Sequence, residues 1–201
     1  MKLSDKDILY QDNHLIAVYK PAGEVTQGPF QEAVRAWIKM ESQKPGNVFL
    51  EPVHRIDKPV QGIVLFAKTS KALTRMNAQM RDRAIERWYI AGVEGKLQGC
   101  GELVHKLRKD PHRSVVADDG RESRLLYKVV SGGWVEIQLI TGRYHQIRCQ
   151  LAEIGHPIIG DAKYGASNMG ILQLQHQKMR FKHPTRDEWV EIKCRNKLQS
   201  R

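Results

Sequence analysis

Two short segments carry most of the residues able to do chemistry. The first is His54-Arg55-Ile56-Asp57-Lys58-Pro59-Val60-Gln61-Gly62. It packs two bases and an acid between a proline and an apolar run. A loop held by rigid elements on both sides is where site residues collect. The chemistry open to it is that of a carboxylate flanked by cations; taken alone, it reads as a solvated polar turn. The second is Gly142-Arg143-Tyr144-His145-Gln146-Ile147-Arg148. Thr141-Gly142 reads as the opening of a helix with Ile147, Leu151 and Ile154 inward and Gly155 at its end. Two arginines and a histidine then fall in the first turns, where the helix dipole disfavours cations. That conflict points to a task beyond helix stability. His145 and Arg148 share a line about 100° round from Ile147. Arg148 is therefore expected at the rim of the core, within reach of a carboxylate in a neighbouring cleft.

Other chemistries find no pattern. Cys100, Cys149 and Cys194 are far apart and odd in number, so no zinc ribbon or redox pair is present. Three buried, reduced thiols are expected. His176 and His183 are seven apart on a predicted strand, with no partner to complete a metal site. Gly95, Gly99 and Gly101 fit neither phosphate-loop pattern. No metal, nucleotide or flavin is implied.

The elements that must position the two segments are legible in outline. Leu15–Lys20 and Ile63–Phe66 read as buried strands, and Trp88–Val93 as a third. Pro29 starts a helix with Phe30, Val34, Trp37 and Ile38 at helical spacing, broken at Lys44–Asn47. Ser70 is the predicted cap of a helix with Leu73, Met76 and Met80 on one face. Strands follow to Ile140, with turns at Gly99–Gly101, Asp118–Gly120 and Gly132-Gly133. Leu172–Phe181 and Trp189–Ile192 pair around His183–Glu188. Runs of strands with two or three inserted helices imply an α+β fold with a mixed, largely antiparallel sheet. The 201 residues are expected to form one domain, 1–201.

Lys and Arg number 33 against 22 Asp and Glu, a formal charge of +11. That excess, spread over the chain, favours a folded basic surface facing a polyanion, although a soluble protein can be basic without one. At 41% hydrophobic residues the composition is not that of a disordered chain. The longest purely apolar run, Ile63–Ala67, is far short of the about 20 residues of a membrane span. The start, Met1 to Asp7, has no apolar signal region, and its acids argue against a transit peptide. A cytoplasmic monomer is expected.

The chain resembles the RluA-type family of RNA pseudouridine synthases. Lys20-Pro21-Ala22-Gly23 looks like its K-P-x-G segment. His54-Arg55-Ile56-Asp57 with Gly62–Lys68 looks like its H-R-L-D…G-L-L-x-x-A-K segment, and Tyr89–Gly95 like its Y-x-A-x-V-x-G strand. Gly142–Arg148, Gly155–Asp161 and Tyr164-Gly165 resemble G-R-x-H-Q-I-R…G-H-P-I-x-G-D…Y-G. The likeness covers roughly Ile8 to Ile192, with the landmarks in the family's order.

The resemblance implies a cofactor-free isomerase acting on transfer or ribosomal RNA. Asp57 would be the catalytic aspartate, as nucleophile or as stabiliser of a cleaved glycosidic intermediate. Uracil would leave C1′, turn while held, and rejoin through C5. Arg148 would supply the cation that keeps a carboxylate ionised. Tyr89 would present a flat face to the base and a hydroxyl for the C5 proton. Arg55 would fill the gap left by an extruded nucleotide. His54, Arg143 and His145 would line the substrate side, and Ile147 with Ile63–Phe66 would wall the pocket. No second acid matches the pair of a glycoside hydrolase.

The chain also departs from the pattern. Val60-Gln61 stands where Thr-Ser is usual, and Pro59 removes a backbone donor. Tyr19 stands where Asn is common, and Tyr144 where a small residue is usual. Only about ten residues precede the first core strand, so a separate N-terminal RNA-binding domain is not expected. RNA contact would then fall to Lys106, Arg108, Lys109, His112 and Arg113, and to Lys178, Arg180 and Lys182; a solvated strand edge is the alternative for both groups. An RNA-binding relative without catalysis, acting in RNA folding or assembly, is the second reading, fed by Val60-Gln61 alone.

Overall fold

The computed structural model describes residues 3–43, 46–195 and 198. In chain order the main elements are β1 (Ile8–Gln11), β2 (Leu15–Lys20), α1 (Pro29–Ser42), β3 (Glu51–Pro52), β4 (Gln61–Ala67) and α2 (Ser70–Arg81). Then come β5 (Glu86–Gly92), β6 (Cys100–Lys109), β7 (Ser114–Val116), β8 (Arg121–Ser131) and β9 (Trp134–Leu139). They end with α3 (Gln146–Glu153), β10 (Leu174–Lys182) and β11 (Trp189–Lys193). The fold is α+β, and β1–β2, β2–β4, β5–β9, β8–β9, β6–β8 and β10–β11 all pair antiparallel. The chain divides into two compact units, Met1–Ile85 with His176–Lys197, and Glu86–Gln175 with Leu198–Arg201.

In the first unit the strand order is β1-β2-β4-β10, with β3 on β4 and β11 on β10. Leu15, Ala17, Ile63 and Leu65 join Met179 and Phe181 in one buried cluster with Ala72 and Met76 of α2. The alternate residues Ile16, Val18, Val64 and Phe66 are equally buried, and Phe30 of α1 packs on Phe66. A helix on each face explains why β2 and β4 read as unbroken apolar runs rather than alternating ones.

Pro29 is the first residue of α1, as its fixed φ favours. The break expected at Lys44–Asn47 falls partly on Lys44 and Pro45, which lie outside the described residues; the helix itself ends at Ser42. The cap of α2 is Thr69, not Ser70: the Thr69 hydroxyl accepts from the Ala72 N–H at 3.2 Å. Both are hydroxyl residues, and the extended backbone of Thr69 decides between them.

In the second unit the order is β5-β9-β8-β6-β7, with α3 against β6 and β7. β5 ends at Gly92, one residue short of the expected Val93, which forms an isolated bridge to Ile158. Gly101 belongs to β6 rather than to a turn, and Cys100 is exposed there, unlike buried Cys149. The helix expected from Thr141 begins only at Gln146. Ile140 and Thr141 both donate their N–H to Arg124 O, so the chain there still runs beside β8. Ile154 is then the C-cap and only partly buried, while Gly155 follows with φ +78°, as its predicted stop role requires.

Candidate active site

In the first unit, the Asp57 loop is gripped from below by buried polar side chains. Lys20, fully buried at the end of β2, donates from Nζ to Pro21 O (3.0 Å), Glu24 O (2.6 Å) and Lys58 O (3.2 Å). Burial drags its ammonium down to about 8, against the pull of the Glu24 and Asp57 carboxylates. That attraction is mutual, so the unit contains its own cation for Asp57. The Thr26 hydroxyl donates to Ile56 O and accepts from Ile56 N–H (3.2 and 3.3 Å), and Gly23 N–H donates to Lys58 O. The loop closes by a Val60 N–H to Asp57 O bond.

His54 is buried beneath the loop, where its Nε2 accepts from Leu65 N–H at 3.2 Å, and its ring meets His176 edge-on at 5.2 Å. It is a support and does not face solvent. Arg55 points outward, bonded to Gln27 Oε1 at 3.2 Å. Asp57 is half-buried. After it, Gly62 (φ +120°) runs so close to β10 that a Cβ would lie 2.3 Å from His176 O, and only glycine fits. Two departures meet here: the Tyr19 hydroxyl donates to Gln61 Oε1. Gln61 thus has a partner, on the strand that delivers Lys20.

In the second unit, Tyr89 lies on the buried face of β5, opposite Ile137 of β9. Ile147 and Arg148 are buried on the first turn of α3. Arg148 is not at a rim. It is 5% exposed and forms a bidentate pair with Asp161, Nε to Oδ2 and Nη2 to Oδ1, both 2.7 Å. Its guanidinium also lies 5.1 Å from the centre of the Tyr164 ring. His145 precedes the helix in a left-handed conformation and stacks on Tyr144 at 3.9 Å. Burial, with Arg148 and Lys163, pushes it down to about 3, so it is a neutral ring, not a cation. Arg143 is exposed; its N–H donates to Gln146 Oε1, which also accepts from Thr141.

The basic group on β6 does not form one patch. Lys106 and Arg108 alternate with Lys109 across the strand. Arg108 is engaged by Asp119 at 3.0 Å, whereas Lys109 lies over the exposed Tyr144 ring. Lys178 and Arg180 are half-buried on β10, Arg180 against Trp189, and Lys182 pairs with Asp187. Among the described residues no group of three or more His, Cys, Asp or Glu could hold a metal, and no helix is long and apolar enough to cross a membrane.

The family described as RNA pseudouridylate synthase matches residues 14–153, a span that includes Asp57, Tyr89 and Arg148. The chain belongs to this family. Among its relatives is a ribosomal large subunit pseudouridine synthase C of Vibrio parahaemolyticus, 33% identical over 92% of this chain and 64% of the relative. Another is the dual-specificity RNA pseudouridine synthase RluA of Pasteurella multocida, 30% identical over 92% of this chain and 91% of the relative. The chain thus spans just under two thirds of the synthase C relative. Two human proteins, RNA pseudouridylate synthase domain containing 1 and 4, share the fold. Their TM-scores are 0.78 and 0.75 at 20% and 22% identity, each over 96% of this chain and over 85% and 89% of theirs.

Sequence reasoning gave no role to Lys20, Thr26 or Asp161. Lys20 and Asp161 stood inside recognised motifs, so their positions were visible but their partners were not.

Proposed function

We propose that the chain converts uridine to pseudouridine in RNA, with Asp57 as the carboxylate that acts at C1′. The N1–C1′ bond breaks with its electron pair going to uracil N1. The base turns, C5 bonds to C1′, and the C5 proton leaves while N1 is protonated. The product is an isomer, so neither cofactor nor metal is required. Tyr89 is the group proposed to face the base and take part in the C5 proton transfer. Arg148 fixes the start of α3 through Asp161 and supports the substrate side with Ile147. Arg55, outward on the loop, is suited to enter the stack when the nucleotide leaves it.

Supporting this reading is the clamp on the Asp57 loop. A buried lysine and a threonine hold the backbone on both sides of a half-buried aspartate, and such fixing of a reacting group lowers the entropic part of a barrier. The relatives' names favour ribosomal RNA of the large subunit, with transfer RNA the other class; a monomer in the cytoplasm fits the reading. The test is tritium release from RNA labelled at uridine C5, joined to pseudouridine mapping in cells with and without the protein. Release is expected for wild type and absent for Asp57→Asn, with RNA affinity nearly unchanged. Equal release by both would overturn the assignment of Asp57. RNA binding without release on any cellular RNA would favour a non-catalytic binding module.

A further inference from the structure

The second unit contains a buried arginine that the proposed reaction does not use. Arg87 on β5 is 9% exposed. Among the described residues it has no hydrogen-bond or ion-pair partner, and its Nε is fully shielded from solvent without one. It shares the sheet face of Tyr89 and Ala91, beside Val135 and Ile137 of β9, which are apolar and buried. Placing an unpaired guanidinium on such a face is costly, and natural cores avoid it unless something compensates. Burial accordingly pulls its protonation equilibrium below the usual arginine value, with Tyr89 pulling the other way.

The guanidinium end of the side chain lies beside Gly142. A Cβ on Gly142 would lie 2.8 Å from Arg87 Nη1, so the absence of a side chain at 142 leaves room for the guanidinium. Gly142 is itself exposed, and so is the neighbouring Arg143. Gln146 holds this turn by accepting from Arg143 N–H at 3.0 Å. The result is a fixed turn with one buried and one exposed guanidinium, and among the described residues no carboxylate pairs with the buried one. Arg148, nearby in sequence, is matched by Asp161 on two 2.7 Å bonds, so the unit can pair an arginine where its architecture needs one.

We propose that Arg87 and Arg143, around the bare backbone of Gly142, form a binding site for a phosphodiester of the RNA strand. The inference rests on the RNA reading above and adds to it. A phosphate supplies the missing counter-charge, and a guanidinium presents two parallel donors that match its oxygens. Standing two residues from Tyr89 on one strand face, Arg87 would fix the backbone of the nucleotide whose base Tyr89 faces. Arg87 is thus a binding residue for the phosphate.

The test uses the full chain with Arg87→Met, Arg87→Lys and Arg143→Ala. Inorganic phosphate and a uridine-containing RNA oligonucleotide are the probes, and uridine nucleoside is the control without phosphate. Without ligand, Arg87→Met is expected to melt higher than wild type by about 2–4 °C, because an unpaired buried charge is gone. Phosphate and RNA should raise the melting temperature of wild type, and this rise should vanish in Arg87→Met and shrink in Arg143→Ala. On substrate RNA, KM should rise about tenfold to a hundredfold in Arg87→Met with a smaller change in kcat. Arg87→Lys should retain part of the phosphate response.

A lower melting point or misfolding of Arg87→Met would overturn the proposal and make Arg87 structural. So would an unchanged phosphate response in either Arg87→Met or Arg143→Ala. If the chain releases no tritium from any RNA, yet Arg87→Met abolishes the phosphate and RNA responses, the enzyme reading falls and this site stands. If release and KM are untouched by Arg87→Met, the site falls and the enzyme reading stands.

Discussion

The first unit holds two aspartates in opposite ways, Asp12 and Asp57. Asp12 is enclosed by donors that point at its own carboxylate. The Tyr10 hydroxyl, His183 Nε2 and Arg186 Nη2 converge on Oδ2 at 2.7, 2.6 and 2.7 Å, while the N–H groups of His14 and Leu15 converge on Oδ1. His183 Nδ1 in turn accepts from the N–H groups of Thr185 and Arg186, which ties the start of β2 to the turn between β10 and β11. At Asp57 the buried donors Lys20 and Thr26 bond to backbone carbonyls of the loop. One arrangement saturates a carboxylate and makes it a joint. The other fixes the peptide on both sides of a carboxylate.

That contrast predicts a double dissociation. Asp57→Asn should abolish uridine turnover and change the melting temperature little, because the loop's clamps are untouched. Asp12→Asn should lose about 2 kcal/mol of stability, the scale of hydrogen bonds to a charged acceptor, and retain turnover wherever it is folded. Denaturant unfolding alongside tritium release measures both. If Asp12→Asn loses turnover at full stability, or Asp57→Asn unfolds, the two aspartates are not separate in kind.

The same contrast has an acid side. Burial tends to raise the Asp12 carboxyl, but the bonds from Tyr10, His14, Leu15 and His183 outweigh it and bring it to about 2 from 3.8. A depressed folded value means the unfolded chain binds the proton more readily. The stabilisation is therefore complete above about pH 4 and lost as pH falls through 2. Stability of Asp12→Asn should be the flatter of the two between pH 4 and 2. Equal slopes would assign the acid sensitivity elsewhere.

What the sequence showed of this depended on whether a signal was local. The apolar runs of β2 and β4, Pro29 at the start of α1 and Gly155 after α3 are local patterns, and the structure bears them out. The start of α3 was misplaced because the bonds from Ile140 and Thr141 to Arg124 O are set by strand pairing. The spacing places Arg148 at the core rim, facing a carboxylate in a cleft; it is instead buried, and Asp161, thirteen residues on, comes to it through the fold. Lys20 was visible as a motif residue, yet nothing local announces that its ammonium will be buried under three carbonyls. Partner choice is tertiary, so residue types were legible and their pairings were not.

The smallest effect lies on the alkaline side and belongs to Asp57. Burial holds the Lys20 ammonium at about 8, below its ordinary 10.5, and Glu24 and Asp57 oppose that fall. Above pH 8 the folded protein releases this proton while the unfolded chain keeps it. More protons on the unfolded side means that this group's contribution to stability rises with pH between 8 and 10.5. Turnover should move the other way. Neutral Lys20 has two N–H bonds to offer three carbonyls, and its attraction for Asp57 is gone, so the loop loosens. Turnover is therefore expected to fall as pH rises through about 8 while the melting temperature does not fall with it. Lys20→Met should be slow throughout and lack that step. A wild-type step that survives in Lys20→Met would place it on another group, and the clamp on Asp57 would then owe nothing to charge.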